Sequence, residues 1–148
     1  MSVQTHIVIV GAGPGGYVAA IRAAQLGARV TVIESHALGG VCLNWGCIPT
    51  KALLKSAQVF EYIKHAKDYG IEVAEGSQAN FEAVIKRSRG VADGMSKGVN
   101  FLMNKNKIDV IYGTGKVKAG KKVEVEKDGQ KTEYSANHII VATGGRAR

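Results

Sequence analysis

Positions 6 to 34 read as one complete strand–helix–strand unit, and this unit restricts the fold more than any other stretch. His6-Ile-Val-Ile-Val10 is a short continuous apolar run, the pattern of a parallel strand buried on both faces. Gly11-Ala-Gly13-Pro-Gly-Gly16 follows, then an alanine-rich helical stretch from Tyr17 to Leu26, with Gly27 where a terminating glycine belongs. Arg29 to Ile33 is apolar again and ends in Glu34. In such a turn Gly11 permits the sharp reversal, Gly13 lets backbone approach a pyrophosphate, and Gly16 lets helix and strand pack closely. The helix N-terminus supplies free amides and a partial positive charge for phosphates. Glu34, 18 residues beyond Gly16, is placed to accept hydrogen bonds from a ribose diol and would repel a 2′-phosphate. No arginine directly follows it, so the dinucleotide indicated is FAD or NAD rather than NADP. The competing readings are a glycine turn that serves packing alone and a Glu34 that is simply solvated.

The only two cysteines, Cys42 and Cys47, lie in the run Gly39-Gly-Val-Cys-Leu-Asn-Trp-Gly-Cys-Ile-Pro-Thr-Lys51. On a regular helix, residues five apart have Cα atoms about 8–9 Å apart, whereas a disulfide needs less than about 7 Å. The pair can close only if the segment is not helical throughout. Gly46 and Pro49 supply the interruption, which places the regular helix from near Cys47 to about Lys64. The second sulfur then sits at a helix N-terminus, where a thiolate is stabilised and the pKa is expected to fall. Lys51 adds positive charge on the same face. Cys42, on the irregular approach, is expected to be the more accessible sulfur. Three readings compete: a redox-active disulfide beside a flavin, a zinc site recruiting His36 or His65, and two unrelated buried thiols. Zinc needs four ligands and this spacing is unusual for it, so no metal site is expected. Trp45 either shields the thiols from water or packs.

Beyond the cysteines, 68 to 79 reads as irregular. Asn80 is a good N-cap for a long helix to about Asn104, with Phe81, Val84, Ser88, Ala92, Val99 and Leu102 at helical spacing. Gly90, Gly94 and Gly98 weaken that helix by about 1 kcal/mol each relative to alanine, which suggests close packing there. Met95 and Met103 read as core filler. Strands are expected at 108–112, 115–118, 123–127, 131–134 and 138–141, with a hairpin at Asp128-Gly129. The expected fold is α/β, a parallel sheet with long helices and an antiparallel β-meander inserted before the last parallel strand. At 148 residues the chain is about one domain. Hydrophobic content of 45% and charged content of 22% are those of a soluble globular protein, and no apolar run is long enough to span a membrane. With no export signal read at the amino terminus, the default location is cytoplasmic, where a cysteine pair is more often catalytic or metal-binding than structural. The net charge of +8 raises nucleic-acid binding. The lysines are dispersed with few aromatics among them, the pattern of a solvated face, and no nucleic-acid partner is expected.

The run from Gly39 to Leu54 resembles the redox-disulfide signature of class I flavoprotein disulfide reductases. Its Leu43-Asn44 and Ile48-Pro-Thr-Lys51 variants are most similar to the dihydrolipoamide dehydrogenases, since glutathione and mercuric reductases usually carry valine at the positions of Leu43 and Ile48. The resemblance continues through Gly113-Thr-Gly115 to Ile140-Val-Ala-Thr-Gly-Gly-Arg146. It implies a Rossmann-like FAD-binding domain over residues 1–148. Gly11, Gly13 and Gly16 would hold the pyrophosphate and Glu34 the adenosine ribose. Gly39 and Gly40 would lie along the cofactor, Lys51 near the flavin ring, Gly115 at the adenine end, and Thr143 with Gly144 at the closing turn. Cys42 would be the interchange thiol that meets the substrate, and Cys47 the charge-transfer thiol against the flavin. The implied reaction oxidises dihydrolipoamide, or the lipoyl domain of a 2-oxo acid dehydrogenase complex, with NAD as acceptor, in a homodimer. The alternatives are another pyridine nucleotide-disulfide reductase of the glutathione or mercuric type, and a non-enzymatic nucleotide-binding module. Two departures stand out. Members of the family are much longer, with NAD-binding and dimer-interface domains, so this chain is read as the amino-terminal part and is expected not to turn over lipoamide by itself. Gly145 stands where serine or alanine is common. None of the four histidines matches a catalytic position.

Overall fold

The protein is described by a computed structural model over residues 6–74 and 76–145; Arg146, at the end of the run from Ile140, lies outside the described residues. The elements are β1 (His6–Val10), α1 (Pro14–Gln25), β2 (Arg29–Glu34), α2 (Gly40–Asn44), α3 (Cys47–Lys64), a 3-10 turn (Ala66–Tyr69), α4 (Phe81–Lys105), β3 (Asp109–Tyr112), β4 (Thr114–Lys118), β5 (Lys122–Lys127), β6 (Gln130–Ser135) and β7 (His138–Val141). Four strands form a parallel sheet in the order β3-β2-β1-β7, and β4-β5-β6 form a separate antiparallel sheet. The fold is therefore α/β and Rossmann-like, with the meander entering between β3 and β7 as the strand pattern indicates. β1 is central, with Val8 opposite Thr31 on one side and Ile139 on the other.

Why β1 is apolar from Ile7 to Val10 is evident from the two cores. Ile9, Val30 and Val32 face the helices, where they join Leu38, Leu43, Val99 and Met103. Val8, Val10 and Ile33 face the other way and are covered by Val123 and Val125 of the meander. Alternate residues of a strand point to opposite faces, so a strand sandwiched between helices and a meander has no polar side to offer. Burying each such valine or isoleucine contributes about 1.5–3 kcal/mol. The ends of β1 and β7 are clasped: the Asn137 side chain accepts from the His6 N–H at 2.8 Å, and the Asn137 N–H donates to the His6 carbonyl at 2.9 Å.

Three local readings need correction. First, α1 begins at Pro14 rather than Tyr17, because proline's fixed φ suits the first turn of a helix and its missing N–H is not needed there. Second, Met95 is exposed while Met103 is fully buried, so only the latter fills the core. Third, the glycines of α4 do not mark close packing. The buried face of α4 carries Ser88, Ala92, Val99 and Met103, and Gly90, Gly94 and Gly98 fall on the opposite face, where an added Cβ would meet nothing within 4 Å. Among the described residues no helix is long and apolar enough to cross a membrane.

The open glycine face has a measurable consequence. Gly94→Ala is expected to raise the unfolding free energy by about 1 kcal/mol, the gain of alanine over glycine at an exposed helix interior, read from urea denaturation. A loss of stability would show that the face is occupied.

Candidate functional site

The glycine turn is built from contacts that exclude side chains at some positions and not at others. Gly11 leaves β1 with φ +101, and its N–H donates to the Ile33 carbonyl at 2.8 Å. A Cβ on Gly11 would run into the Ala142 carbonyl, and one on Gly16 into the Gly11 carbonyl. Gly40, at φ +60, sits so close to the turn that its Cβ would stand 2.7 Å from the Gly13 Cα. Gly13 is different: a Cβ there would meet no protein atom within 4 Å. The protein's own packing therefore accounts for glycine at 11, 16 and 40 but not at 13.

Glu34 holds this arrangement in place. It is 8% exposed, so it is buried rather than solvated. Its Oε2 accepts from the Ala12 N–H at 2.7 Å and its Oε1 from the His36 N–H at 2.8 Å. Each carboxylate oxygen has a second lone pair, which leaves capacity for a further donor. The Gly39 N–H then returns to the Ala12 carbonyl at 2.9 Å, seating the segment before α2 on the turn.

Two clefts open along the C-terminal ends of the parallel strands, where a doubly wound sheet binds its ligands. One, of about 270 Å³, is lined by Gly11, Gly13, Glu34, Gly40, Thr143 and Gly144, and reaches Cys42 and Trp45. The other, of about 220 Å³, shares Gly11, Glu34 and Thr143 and extends past Gly115. Gly115 has little space: its Cβ would stand 3.0 Å from Val10 and 3.2 Å from Ile33 side-chain carbons. Gly16 and Gly39 are buried and line neither cleft, and Cys47 and Lys51 are exposed outside both. Together the clefts approach the size of a cofactor site.

The thiol segment is interrupted, as a close pair requires. α2 ends at Asn44, Trp45 and Gly46 intervene, and α3 starts at Cys47, with the Thr50 N–H donating to the Gly46 carbonyl at 3.1 Å. Both thiols are free, with Cys42 half-buried and Cys47 exposed, which reverses the expected order of access. The approach to the pair is not a loose loop but a helical turn. Leu43 is buried in the core, and Cys42 packs against it. The Cys42 pKa is pushed up, chiefly by its hydrogen bond with Cys47, then by burial and the charge of Cys47, while Lys51 pulls the other way. Trp45, 58% exposed, stands on the rim. Neither His36 nor His65 joins the thiols: among the described residues no cluster of His, Cys, Asp or Glu could hold a metal ion, and His65 faces Glu61 and Asp68 at 3.6 Å each.

Two residues that sequence reasoning missed also belong here. The Asn44 amide donates to the carbonyls of Leu38, before α2, and Gly40, its first residue, and its oxygen accepts from Ser96 of α4 at 2.8 Å. No local pattern announces a partner so far along the chain.

The thiol geometry predicts the order of alkylation. In the reduced chain at pH 8, iodoacetamide is expected to modify Cys47 several times faster than Cys42, because a raised pKa leaves less thiolate. Cys47→Ala, which removes the hydrogen-bond partner that chiefly causes the shift, is expected to speed modification of Cys42. Equal rates at the two sites by mass spectrometry would contradict this.

Comparison with known proteins agrees with the geometry. The profile of the family described as "Pyridine nucleotide-disulphide oxidoreductase" matches residues 5–148. A dihydrolipoyl dehydrogenase of Rhizobium etli is 46% identical over 164 residues, covering 100% of this chain and 34% of the relative. One of Acholeplasma laidlawii is 44% identical, covering 99% of this chain and 43% of the relative. The crystal structure of LpdA from Mycobacterium tuberculosis superposes with a TM-score of 0.85 at 25% identity, over 97% of this chain and 32% of that one. The chain thus spans about a third of the length of most of these proteins. A glycine turn pinned by Glu34, a cleft leading from it to a dithiol, and a family profile covering almost every residue place this chain in the pyridine nucleotide-disulphide oxidoreductase family.

Proposed function

We propose that the chain is the FAD-binding and dithiol-bearing part of a dihydrolipoyl dehydrogenase, with residues 1–148 acting as one FAD-binding domain. The observation that carries this reading is Gly13, which lines the same cleft as Glu34 and Cys42 and where an added Cβ would meet no protein atom within 4 Å. A glycine that the protein's packing does not require is accounted for by a ligand that must approach the backbone.

In this reading the turn from Gly11 to Gly16 lies against the pyrophosphate. The amides of Gly13, Gly15 and Gly16 at the start of α1 are the donors, since those of Gly11 and Ala12 are bonded to Ile33 and Glu34. The spare lone pairs of Glu34 take the adenosine ribose. Gly40, Thr143 and Gly144 border the cofactor, Gly39 lies behind them on the Ala12 carbonyl, and Gly115 borders the second cleft at the adenine end. Lys51 and the exposed first turn of α3 form the surface that the flavin ring covers. That cover would leave Cys42 as the thiol open to substrate, in line with its interchange role. Bound FAD supplies the acceptor through which an electron pair passes from the dithiol to NAD.

The chain's own chemistry is thiol–disulfide exchange. One substrate thiolate attacks the Cys42 sulfur of the Cys42–Cys47 disulfide, the S–S bond breaks, and Cys47 leaves as thiolate at the N-terminus of α3, where negative charge is accommodated. The second substrate thiolate then displaces Cys42. The cyclic disulfide product departs with both cysteines reduced, and the two thiol protons of the substrate pass to solvent. Dihydrolipoamide or a lipoyl domain of a 2-oxo acid dehydrogenase complex as substrate, NAD as acceptor, a homodimer and a cytoplasmic setting belong to the proposal for the whole protein. The 148-residue chain alone is expected not to turn over lipoamide.

Flavin titration followed by FAD fluorescence quenching tests the reading. Gly13→Val is expected to remain folded, losing at most about 1 kcal/mol because glycine is replaced at the N-cap of α1, and to weaken FAD binding at least about tenfold, or 1.4 kcal/mol. Gly16→Ala is expected to cost stability directly, because its Cβ meets backbone. Undiminished FAD binding by Gly13→Val, or no binding by the parent chain, would contradict the assignment.

A further inference from the structure

Asn44 and Ser96 are half-buried polar residues behind the thiol helix, and the chemistry proposed above gives neither a role. Asn44 closes α2. Its Nδ2 donates to the carbonyls of Leu38 at 3.0 Å and Gly40 at 2.9 Å. Its Oδ1 accepts from Ser96 Oγ at 2.8 Å, and the same Oγ lies 3.0 Å from the Leu38 carbonyl. The amide orientation follows from these neighbours: two carbonyls require the NH₂ group, and the serine hydroxyl finds the oxygen. The carbonyls belong to residues around Gly39 and Gly40, both left-handed at φ +93 and +60, and Gly40 rests on Gly13. A single side-chain pair therefore links α4 to the segment seated on the glycine turn and to the helix that carries Cys42.

The other half of the thiol segment is fastened to the same helix by different means. Arg87 of α4 donates through Nη1 to the Ala52 carbonyl at 2.8 Å and to Ser56 Oγ at 3.3 Å, both on α3. Between the two attachments lies the interruption at Trp45 and Gly46. α3 has eighteen residues and α2 only five, too short to persist on its own. α2 therefore takes its position from what holds it: the buried Leu43 and the Asn44–Ser96 bond.

We propose that Asn44 and Ser96 are positioning residues for the dithiol: by tying α2 to α4 they fix Cys42 relative to Cys47 and so set how readily the pair closes to a disulfide. The inference rests on the redox reading of the pair. The reaction that reports it is oxidation by glutathione disulfide. Cys42 and Cys47 each lose a proton and together an electron pair, forming one intramolecular S–S bond, while one glutathione disulfide takes up two protons and two electrons to give two glutathione thiols.

The test equilibrates the chain with glutathione redox buffers, quenches in acid, alkylates and counts disulfide by mass spectrometry. Ser96→Val and Ser96→Thr have nearly the same shape and differ in the hydroxyl. Ser96→Val is expected to shift the disulfide equilibrium constant about tenfold, equivalent to about 30 mV for a two-electron couple, with Ser96→Thr staying within about twofold of the parent. Asn44→Ala is expected to reproduce the Ser96→Val shift and to add little to it in the double variant; it replaces Ser96→Val in the comparison should that variant not fold. Equal equilibrium constants for the valine and threonine variants, whatever their stabilities, would overturn the positioning role. A parent pair that forms no intramolecular disulfide in any buffer would overturn the redox reading itself, and the inference with it.

Discussion

The carboxylate of Glu34 is the point on which the site depends. It stands at the end of β2 and accepts one backbone amide from the glycine turn after β1 and another from the segment after its own strand. Charge-assisted bonds to backbone N–H groups are among the stronger hydrogen bonds in proteins, and here both are short and the one from Ala12 is buried. With the turn fixed, Ala12 offers its carbonyl to Gly39, Gly40 comes to rest on Gly13, and α2 with Cys42 follows within a few residues. A chain of backbone contacts thus runs from a strand end to a thiol. In the proposed reading, the residue that takes the ribose would also be the one that holds the loop beneath it.

The same economy appears in the second layer. A parallel sheet needs both faces covered, and here helices cover one while the antiparallel meander covers the other through Val123 and Val125. Because the meander packs against the ends of β1 and β2, Gly115 is squeezed between Val10 and Ile33, which brings the backbone of β4 to the edge of the cleft beside Glu34. The meander is therefore part of the site's wall as well as a cover for the core.

Much of this was legible in the chain. The βαβ unit could be read because every part of it has a local cause: an apolar run for a strand buried on both faces, glycines for a turn, alanines for a helix. The interruption between the cysteines was also legible, since helix geometry forbids a close pair without it. The tertiary features were not. The order of exposure of Cys42 and Cys47 depends on where Leu43 is buried, a fact of packing rather than pattern. Gly90, Gly94 and Gly98 suggested a tight helix contact, yet their direction relative to Ser88 and Met103 turns them to the open side. The one-turn helix α2 leaves no mark in the sequence because five residues carry no periodicity. The bond between Asn44 and Ser96 joins positions 52 apart, with nothing in either neighbourhood to announce the other.

The central claim is that a flavin bound at the glycine turn lies against the thiol at the start of α3. The most direct measurement is the visible spectrum of the purified chain with FAD, before and after anaerobic reduction by one equivalent of dithionite, for the parent and for Cys47→Ser. The account predicts bound flavin and, on reduction, a broad long-wavelength absorption in the parent that Cys47→Ser lacks. Bound flavin with identical spectra in the two proteins would contradict it, because the thiol and the cofactor would then be out of contact.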